Sequence, residues 1–404
     1  MTYREALAWL FGTQLFGIKL GLENVHRLLR ALNLLDDQKF IHVAGTNGKG
    51  SVCAMIDSIL RAQGYRSGLF TSPHLITFRE RIQVNGEMIG ETQVANGLTS
   101  IRELISNWEP HPTFFEITTA LALQHFKSAR CEFVALETGM GGRLDATNAI
   151  TPIVSVITPI DYDHQNWLGN SLGEIAEEKA GIIKPHVPVI SSPQLAEAEI
   201  VIRTRARECD APIEFVSLGE KSNTVALPGS HQGQNAAVAI AALRAAKISV
   251  SDQAIRGGLT NVNWPARFQH WNERIVIDGA HNSAGAHVLV ETWRETFGTE
   301  KAGLILGVMR DKNVEAIFRE LEPIAEVVIL TTFRGERVLP AEEAALIVKA
   351  IAPEKEIAIA NSCAAAILAA ESSPRILVTG SLHLAGEMLA HLRGTPSAFD
   401  ECAQ

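Results

Sequence analysis

The sequence predicts an α/β fold, a mostly parallel sheet covered by helices and followed by a second, smaller Rossmann-like domain. Three observations carry this: an apolar run at residues 40–44 that breaks into a glycine-rich loop ahead of a helix, a repeated alternation of short apolar runs with helical stretches, and an interruption of that rhythm at residues 261–267.

Phe40, Ile41, Val43 and Ala44 read as a buried strand, and the loop that follows is Gly45-Thr46-Asn47-Gly48-Lys49-Gly50-Ser51. Such a strand, loop and helix form a phosphate cradle. Glycines let backbone N–H groups crowd a polyphosphate, Lys49 supplies a mobile positive charge, and the Ser51 hydroxyl at the helix start can join a magnesium shell. The spelling departs from G-x-x-x-x-G-K-[ST], because Lys49 precedes Gly50 and lies close to Gly45. A plain turn has no use for a Lys and a Ser in this register, so ATP is the expected ligand.

Beyond the loop, helical stretches at 51–63 and 114–126 alternate with strand-like runs at 133–136, 153–157 and 187–190. An Ala-rich helix at 235–246 comes before the Asn-Val-Asn-Trp-Pro-Ala-Arg segment at 261–267, where the domain junction is expected. The rhythm restarts with runs at 274–277, 303–308, 326–330, 357–360 and 375–378, each followed by a helical stretch. The 404 residues are too many for one comfortable core and are expected to divide into domains 1–263 and 264–404, with a loose tail after Arg393.

Charged residues make up 20% of the chain and hydrophobic ones 46%, as in a well-packed enzyme, and a formal charge of −9 gives no basic footprint for nucleic acid. Cys53, Cys131, Cys209, Cys363 and Cys402 are odd in number and lack C-x-x-C spacing, which points to buried, reduced thiols. Arg4, Glu5 and Lys19 interrupt the first apolar stretch, and no uncharged apolar run reaches the ~18–20 residues of a spanning helix. A cytoplasmic protein with neither nucleic acid nor membrane as partner is expected.

Glu137 closes the run at 133–136 and is followed by Thr138-Gly139-Met140-Gly141-Gly142, which puts a carboxylate at the edge of a parallel sheet where ligands gather. Asp161, Asp163 and His164 follow the next run and should reach the same edge. Together they suggest a polar cluster around a metal ion.

Thr71-Ser72-Pro73-His74-Leu75, Leu136-Glu137-Thr138-Gly139, Gly141-Gly142-Arg143-Leu144-Asp145-Ala146-Thr147-Asn148, Asp163-His164 and Glu178-Lys179-Ala180-Gly181-Ile182 occur in this order. So do Trp264-Pro265-Ala266-Arg267-Phe268 and Asp278-Gly279-Ala280-His281-Asn282. The ordered set closely resembles the dihydrofolate synthase/folylpolyglutamate synthase family of the Mur ligase superfamily, from about residue 17 to residue 386. The resemblance implies a P-loop Mur-ligase-type ATPase domain ahead of the Rossmann-like domain. It also implies a reaction in which ATP phosphorylates a carboxylate on a pteroate or folyl substrate and the amino group of glutamate attacks the acyl phosphate. Such chemistry needs no enzymic nucleophile, only charge neutralisation and placement.

Carried over by resemblance, Thr46, Asn47, Gly48, Lys49, Gly50 and Ser51 cradle the triphosphate. Ser72, Glu137 and His164 hold magnesium, with two Mg2+ sites expected, and Lys179 looks like the family's carbamylated lysine. Lys49, Lys179, His164 and Glu137 form the implied catalytic set. Asn235, Arg267 and Asp278 match nucleotide-binding positions, Asn235 near adenine and Arg267 near the phosphates, although the usual Pro-Gly-Arg reads Pro265-Ala266-Arg267 here. Thr113, Phe114, Phe115, Leu144, Asp145 and Ala146 correspond to the dihydropteroate pocket, where an aromatic wall can stack on a pterin and a carboxylate can accept its N–H groups. Leu75, Phe78 and Arg79 are expected on a mobile loop closing that pocket. His281 and Ser381 are weaker candidates on the glutamate side.

The partners implied are small molecules, dihydropteroate or folate and L-glutamate, acting on a monomer. The alternatives are a folylpolyglutamate synthase alone, a related Mur-type ligase acting on another carboxylate such as a UDP-linked precursor, or a P-loop kinase or ATP-driven switch. The last would not need the second Rossmann-like domain or the Asp278-to-Asn282 motif.

Overall fold

The computed structural model describes residues 1–16, 21–34, 38–217, 224–335 and 337–395. Cys402 and the expected tail from residue 396 onward lie outside the described residues, as does the stretch around Gly17 where the resemblance begins. The chain divides into two compact units. The first comprises Met1–Pro73, Arg79–Ala226 and Gly233–Val262, and the second His74–Phe78, Leu227–Gln232 and Asn263–Gln404.

In the first unit, β1 (Lys39–Ala44), β2 (Ser67–Phe70), β3 (Ile82–Val84), β4 (Glu87–Met88), β5 (Phe133–Glu137), β6 (Val154–Ile157), β7 (Val189–Ser191) and β8 (Ile213–Phe215) form one sheet in the order β4-β3-β2-β5-β1-β6-β7-β8. All pairings are parallel except those of β3 with β2 and β4. β1 is buried from Phe40 to Ala44 and β5 throughout, as strands covered on both faces must be. The order reverses at β1, which lies between β5 and β6 and creates the crevice where such sheets bind ligands. The register aligns Val43 with Glu137 and Ala44 with Ile157, so the loops leaving these three strands start at one level.

The helix after the phosphate-type loop, Lys49–Gln63, is buried from Gly50 to Leu60. It accepts the helix Asp252–Asn261 at very close range. A Cβ on Gly258 would lie 2.6 Å from the Ile59 Cα, and the Ser58 hydroxyl donates to the Gly258 carbonyl at 2.7 Å. Cys53, Cys131, Cys209 and Cys363 are free and buried, small apolar fillers as expected.

In the second unit, β9 (Gln269–His270), β10 (Ile275–Ile277), β11 (Ala302–Leu306), β12 (Ala325–Thr331), β13 (Glu356–Ala360) and β14 (Ile376–Thr379) are ordered β13-β12-β11-β14-β10-β9, with only β9 antiparallel. One face packs around Trp293, Phe268 and Phe318. The other face packs around Ile277, Ile305, Met388 and Ile76. The antiparallel edge strands β3, β4 and β9 were not anticipated, since runs of two or three residues carry no readable alternation. The helix expected at 235–246 begins five residues earlier and spans Ser230–Ala245.

One expectation is corrected. Leu75 and Phe78 are not on a mobile loop: Phe78 is fully buried, and Leu75 and Ile76 pack into the second unit's core. Arg79, also expected there, donates from Nε to the Ile89 carbonyl at 2.6 Å in the first unit. Among the described residues no helix is long and apolar enough to cross a membrane.

Gly386 sits where a Cβ would lie 2.0 Å from the Leu75 carbonyl oxygen. Backbone cannot rotate away, so Gly386→Ala is expected to destabilise the protein by about 1–3 kcal/mol through overpacking. Urea unfolding reads this; an unchanged midpoint would refute the tight docking of the 74–78 segment.

Candidate active site

The loop after β1 is shaped by the loop after β6. Gly45 has φ +144°, and a Cβ there would lie 1.9 Å from the Thr158 hydroxyl oxygen. Thr46 and Asn47 donate their N–H groups to the Pro159 carbonyl at 2.9 and 3.3 Å. The Thr46 hydroxyl donates to the Asp161 carbonyl and accepts from the Asp161 N–H, both at 3.0 Å. Gly48, at φ +88°, caps the helix Lys49–Gln63 and leaves room for Asn235, whose Oδ1 would be 2.8 Å from a Cβ. Lys49 folds back so that Nζ donates to the Thr46 carbonyl at 3.1 Å, and Ser51 is buried in the first turn. Thr46, Asn47, Gly48, Lys49, Gly50, Ser51 and Asn235 are thus brought together around one loop and helix N-terminus, the backbone pattern that holds anions.

At the end of β5 the buried Glu137 accepts the Ser72 N–H at 3.1 Å, so two of the residues matched to metal binding are neighbours. His164 lies on the loop after β6, in a left-handed conformation at φ 50°, with its Nε2 4.0 Å from Asp163 and its side chain 38% exposed. Among the described residues no three His, Cys, Asp or Glu side chains gather closely enough to hold a metal ion. The expected cluster of Glu137, Asp161, Asp163 and His164 is therefore not a closed cage. Asp161 and Asp163 each turn an oxygen back onto the N–H of the following residue. A carboxylate beside a hydroxyl-bearing residue still suits magnesium, which takes one or two carboxylates and completes its shell with phosphate oxygens and water.

Lys179, in the last turn of the helix Leu172–Ala180, is 4% exposed. Its Nζ donates to the Gly45 carbonyl at 2.8 Å, directly beside the phosphate-type loop. Burial, helped by the positive charge of Lys49, lowers its pKa to about 7, against the opposing pull of Asp163 and Asp145. A neutral amine is therefore abundant at physiological pH.

The segment 139–148 joins these groups. Arg143 donates its N–H to the Glu178 carbonyl at 2.7 Å and pairs its guanidinium with the Glu178 carboxylate at 2.6 Å. Gly142 has no room for a Cβ, which would fall 2.8 Å from the Glu178 carbonyl and 2.9 Å from that of Lys179. Asp145 is buried and bonded within its own segment: Oδ1 accepts the Thr147 N–H and hydroxyl, and Oδ2 accepts the N–H groups of Gly139 and Met140. Burial pushes its carboxyl up, and these four donors oppose that. Ala146 is buried and Leu144 half-buried beside it. Thr113 caps the helix Phe114–Ser128, reciprocating with Glu116. Phe115 lies against Gly139, and Phe114 lies between Phe11, stacked at 5.6 Å, and the Arg81 guanidinium at 5.4 Å.

In the second unit Arg267, Asp278, His281 and Ser381 collect at the ends of β10 and β14. Asp278 accepts the N–H groups of Phe268 at 2.7 Å and Ala280 at 2.8 Å. Arg267 is held between two left-handed residues, Ala266 at φ 56° and Phe268 at φ 43°. His281 Nδ1 lies 2.8 Å from the Gly279 carbonyl, and the Ser381 hydroxyl caps the helix Leu382–Leu392. Sequence reasoning overlooked Thr158 and Pro159, whose roles are made by backbone and carry no motif. It also overlooked His42, whose signal was a histidine inside a buried strand.

Residues 43–191 match the Mur ligase middle domain, and residues 266–382 match the Mur ligase glutamate ligase domain. Together with the fold and the loop, these make the protein a Mur-type ligase. The chain is 38% identical over 366 residues to the dihydrofolate synthase/folylpolyglutamate synthase of Bacillus subtilis, covering 82% of this chain and 85% of that one. Escherichia coli FolC, solved in complex with DHPP and ADP, is similar with a TM-score of 0.88 at 30% identity over 98% of each chain. A bifunctional folylpolyglutamate synthase/dihydrofolate synthase from Yersinia pestis, solved with AMPPNP and a Mn ion, gives a TM-score of 0.88 at 29% identity over 97% of this chain and 98% of that one. The chain belongs to the dihydrofolate synthase/folylpolyglutamate synthase family.

The lowered basicity of Lys179 has a thermodynamic signature. Between pH 7 and 10.5 the unfolded chain holds a proton on Lys179 that the folded chain has lost, so this residue makes stability rise with pH across that window. In CO2-free buffer, the stability of wild type relative to Lys179→Met should increase by about 1–3 kcal/mol from pH 7 to pH 10. Urea titrations at both pH values check it, and a pH-independent difference would refute the depressed amine.

Proposed function

We propose that this chain joins L-glutamate to dihydropteroate, forming dihydrofolate, and to folates, lengthening their glutamate tails, with ATP as phosphoryl donor. One observation carries the reading: the Gly45-to-Ser51 loop, the Glu137–Ser72 pair and Lys179 converge on one sheet edge. The relatives solved with ADP and DHPP, and with AMPPNP and Mn, support the same ligand classes here.

In this reading the Gly45-to-Ser51 loop and Lys49 hold the triphosphate, with Asn235 beside them, and Arg267 and Asp278 are proposed as nucleotide-binding residues from their match to the family. Ser72, Glu137 and His164 would hold a divalent cation, Mg2+ by donor chemistry, with a second one beside Lys179. When bound, the cation supplies neutralisation of charge on the transferring phosphoryl group. The substrate carboxylate attacks the γ-phosphorus, ADP leaves, and the amine of glutamate then displaces phosphate from the acyl carbon, losing a proton as the amide forms. The protein contributes placement and charge, with no covalent step of its own.

The half-buried faces of Phe114 and Phe115, with Thr113, Leu144 and Ala146, form the acceptor side. Asp145 serves that side by fixing the backbone of residues 139–147, since four internal donors occupy its oxygens. His281 and Ser381 serve the glutamate side. Lys179 is carbamylated: its neutral amine attacks the carbon of CO2 and releases a proton to solvent, and the resulting carbamate anion would supply an oxygen ligand for a cation where the uncarbamylated lysine could carry a positive charge.

ADP release with MgATP and L-glutamate, comparing dihydropteroate with tetrahydrofolate and identifying products by mass, tests the activity. Turnover with both acceptors is expected; one alone fixes the branch, and neither overturns the reading. Lys49→Ala and Glu137→Ala should each lower turnover at least about a hundredfold, as expected for groups that stabilise transferring charge.

The carbamate is tested by 13C-bicarbonate, which should give a carbamate resonance that Lys179→Ala lacks. Supplying bicarbonate to CO2-depleted enzyme should restore its rate. A rate indifferent to CO2 and no resonance would remove the carbamate from the mechanism.

A further inference from the structure

His42 interrupts the apolar run at residues 40–44 of strand β1 and is fully buried, paired across the sheet with Leu136 and Ser155. An imidazole in such a place loses its hydration and is tolerated only if it is hydrogen-bonded. Its Nε2 lies 2.8 Å from the Thr147 hydroxyl oxygen, while Nδ1 has no partner among the described residues.

The direction of the chain of bonds can be assigned. Both Asp145 oxygens already accept backbone N–H groups, from Thr147 on one side and from Gly139 and Met140 on the other, so Asp145 is an acceptor throughout. The Thr147 hydroxyl donates its only proton to Asp145 at 2.5 Å. It must therefore accept from His42, which puts a proton on Nε2. Burial and the nearby Lys184 keep this imidazole uncharged, with a pKa of about 3.

We propose that His42 is a positioning residue for the ligase reaction: through Thr147 and Asp145 it fixes the Gly139–Met140 turn, which links Glu137 to the end of the helix that carries Lys179. The turn begins two residues after Glu137 and ends where Gly142 and Arg143 dock on the carbonyls of Glu178 and Lys179. A slack turn would therefore loosen both groups while leaving the Gly45-to-Ser51 loop tied to Thr158 and Pro159. The proposal rests on the functional reading above for its effect on rate, and on geometry alone for the relay.

The relay is tested on the full chain by amide hydrogen exchange together with kinetics. His42→Leu, of similar size but without a donor, should speed exchange at Gly139 and Met140 at least tenfold while Val189–Ser191 in β7 keep their protection. It should lower kcat at least tenfold with the KM for ATP within threefold. His42→Gln, whose amide can donate from the position of Nε2, should recover both properties to within threefold. Unchanged exchange at the two amides, a uniform loss of protection, or a His42→Gln variant as impaired as His42→Leu would overturn the proposal. If His42→Leu does not fold, Thr147→Val and Thr147→Ser make the same comparison, the serine keeping the relay. The 15N spectrum of the wild-type imidazole should show the Nε2–H form between pH 5 and 8, and the opposite tautomer would also overturn it. A wild type without turnover on either acceptor would overturn the functional reading instead, while the exchange rates still decide the relay.

Discussion

The candidate site depends on one close approach, that of Gly45 to Thr158. The ends of β1 and β6 lie at the same level, and any side chain at residue 45 would hold them apart. With that contact made, the Pro159 carbonyl takes two amides of the loop, and the Gly45 carbonyl takes Lys179. The loop is thus shaped by its neighbours before a polyphosphate arrives. A cradle formed in advance does not have to reorganise at the moment of phosphoryl transfer, which is where preorganised dipoles gain their advantage over water.

Around this contact lies a group of buried polar side chains. Lys179, Asp145, Thr147 and His42 are all buried, and each makes a hydrogen bond to another protein group. Losing one member of such a network leaves the others unpaired in a low-dielectric interior, which is what ties its members together. The irregular segment 139–148 is tied down by these bonds, with Asp145 holding the N–H groups of Gly139, Met140 and Thr147. Double glycine at 141–142 then serves docking: Gly142 lets the segment lie directly on the carbonyls at the end of the helix Leu172–Ala180.

The second unit uses a related device. Asp278 ties the turn that carries Arg267 to the end of β10, and that turn holds two non-glycine residues in left-handed conformations. Strain of this sort persists only where surrounding bonds over-determine the backbone. Ala266 replaces the glycine that such a conformation favours, and its methyl is fully buried against the core that includes Ile277 and Ile305. The buried methyl offsets part of the conformational cost.

Much of this was readable in the chain. The Gly45-to-Ser51 loop, the carboxylate closing β5 and the glycines at 141–142 declare themselves because each meets a local demand: positive φ, a close backbone approach, a strand end at a ligand crevice. The alternation of apolar runs with helices likewise gives the two parallel sheets, since strands buried on both faces must be apolar throughout. The sequence by itself therefore determined the fold class, the phosphate-type loop and the family. Only the tertiary structure decided that segment 74–78 belongs to the second unit's core, that Asp145 looks inward, that Lys179 loses its charge near neutral pH and that His42 reaches Asp145 through Thr147. Those properties arise from desolvation and from partners as many as 134 positions apart, as with Lys179 and Gly45, and no local pattern encodes either.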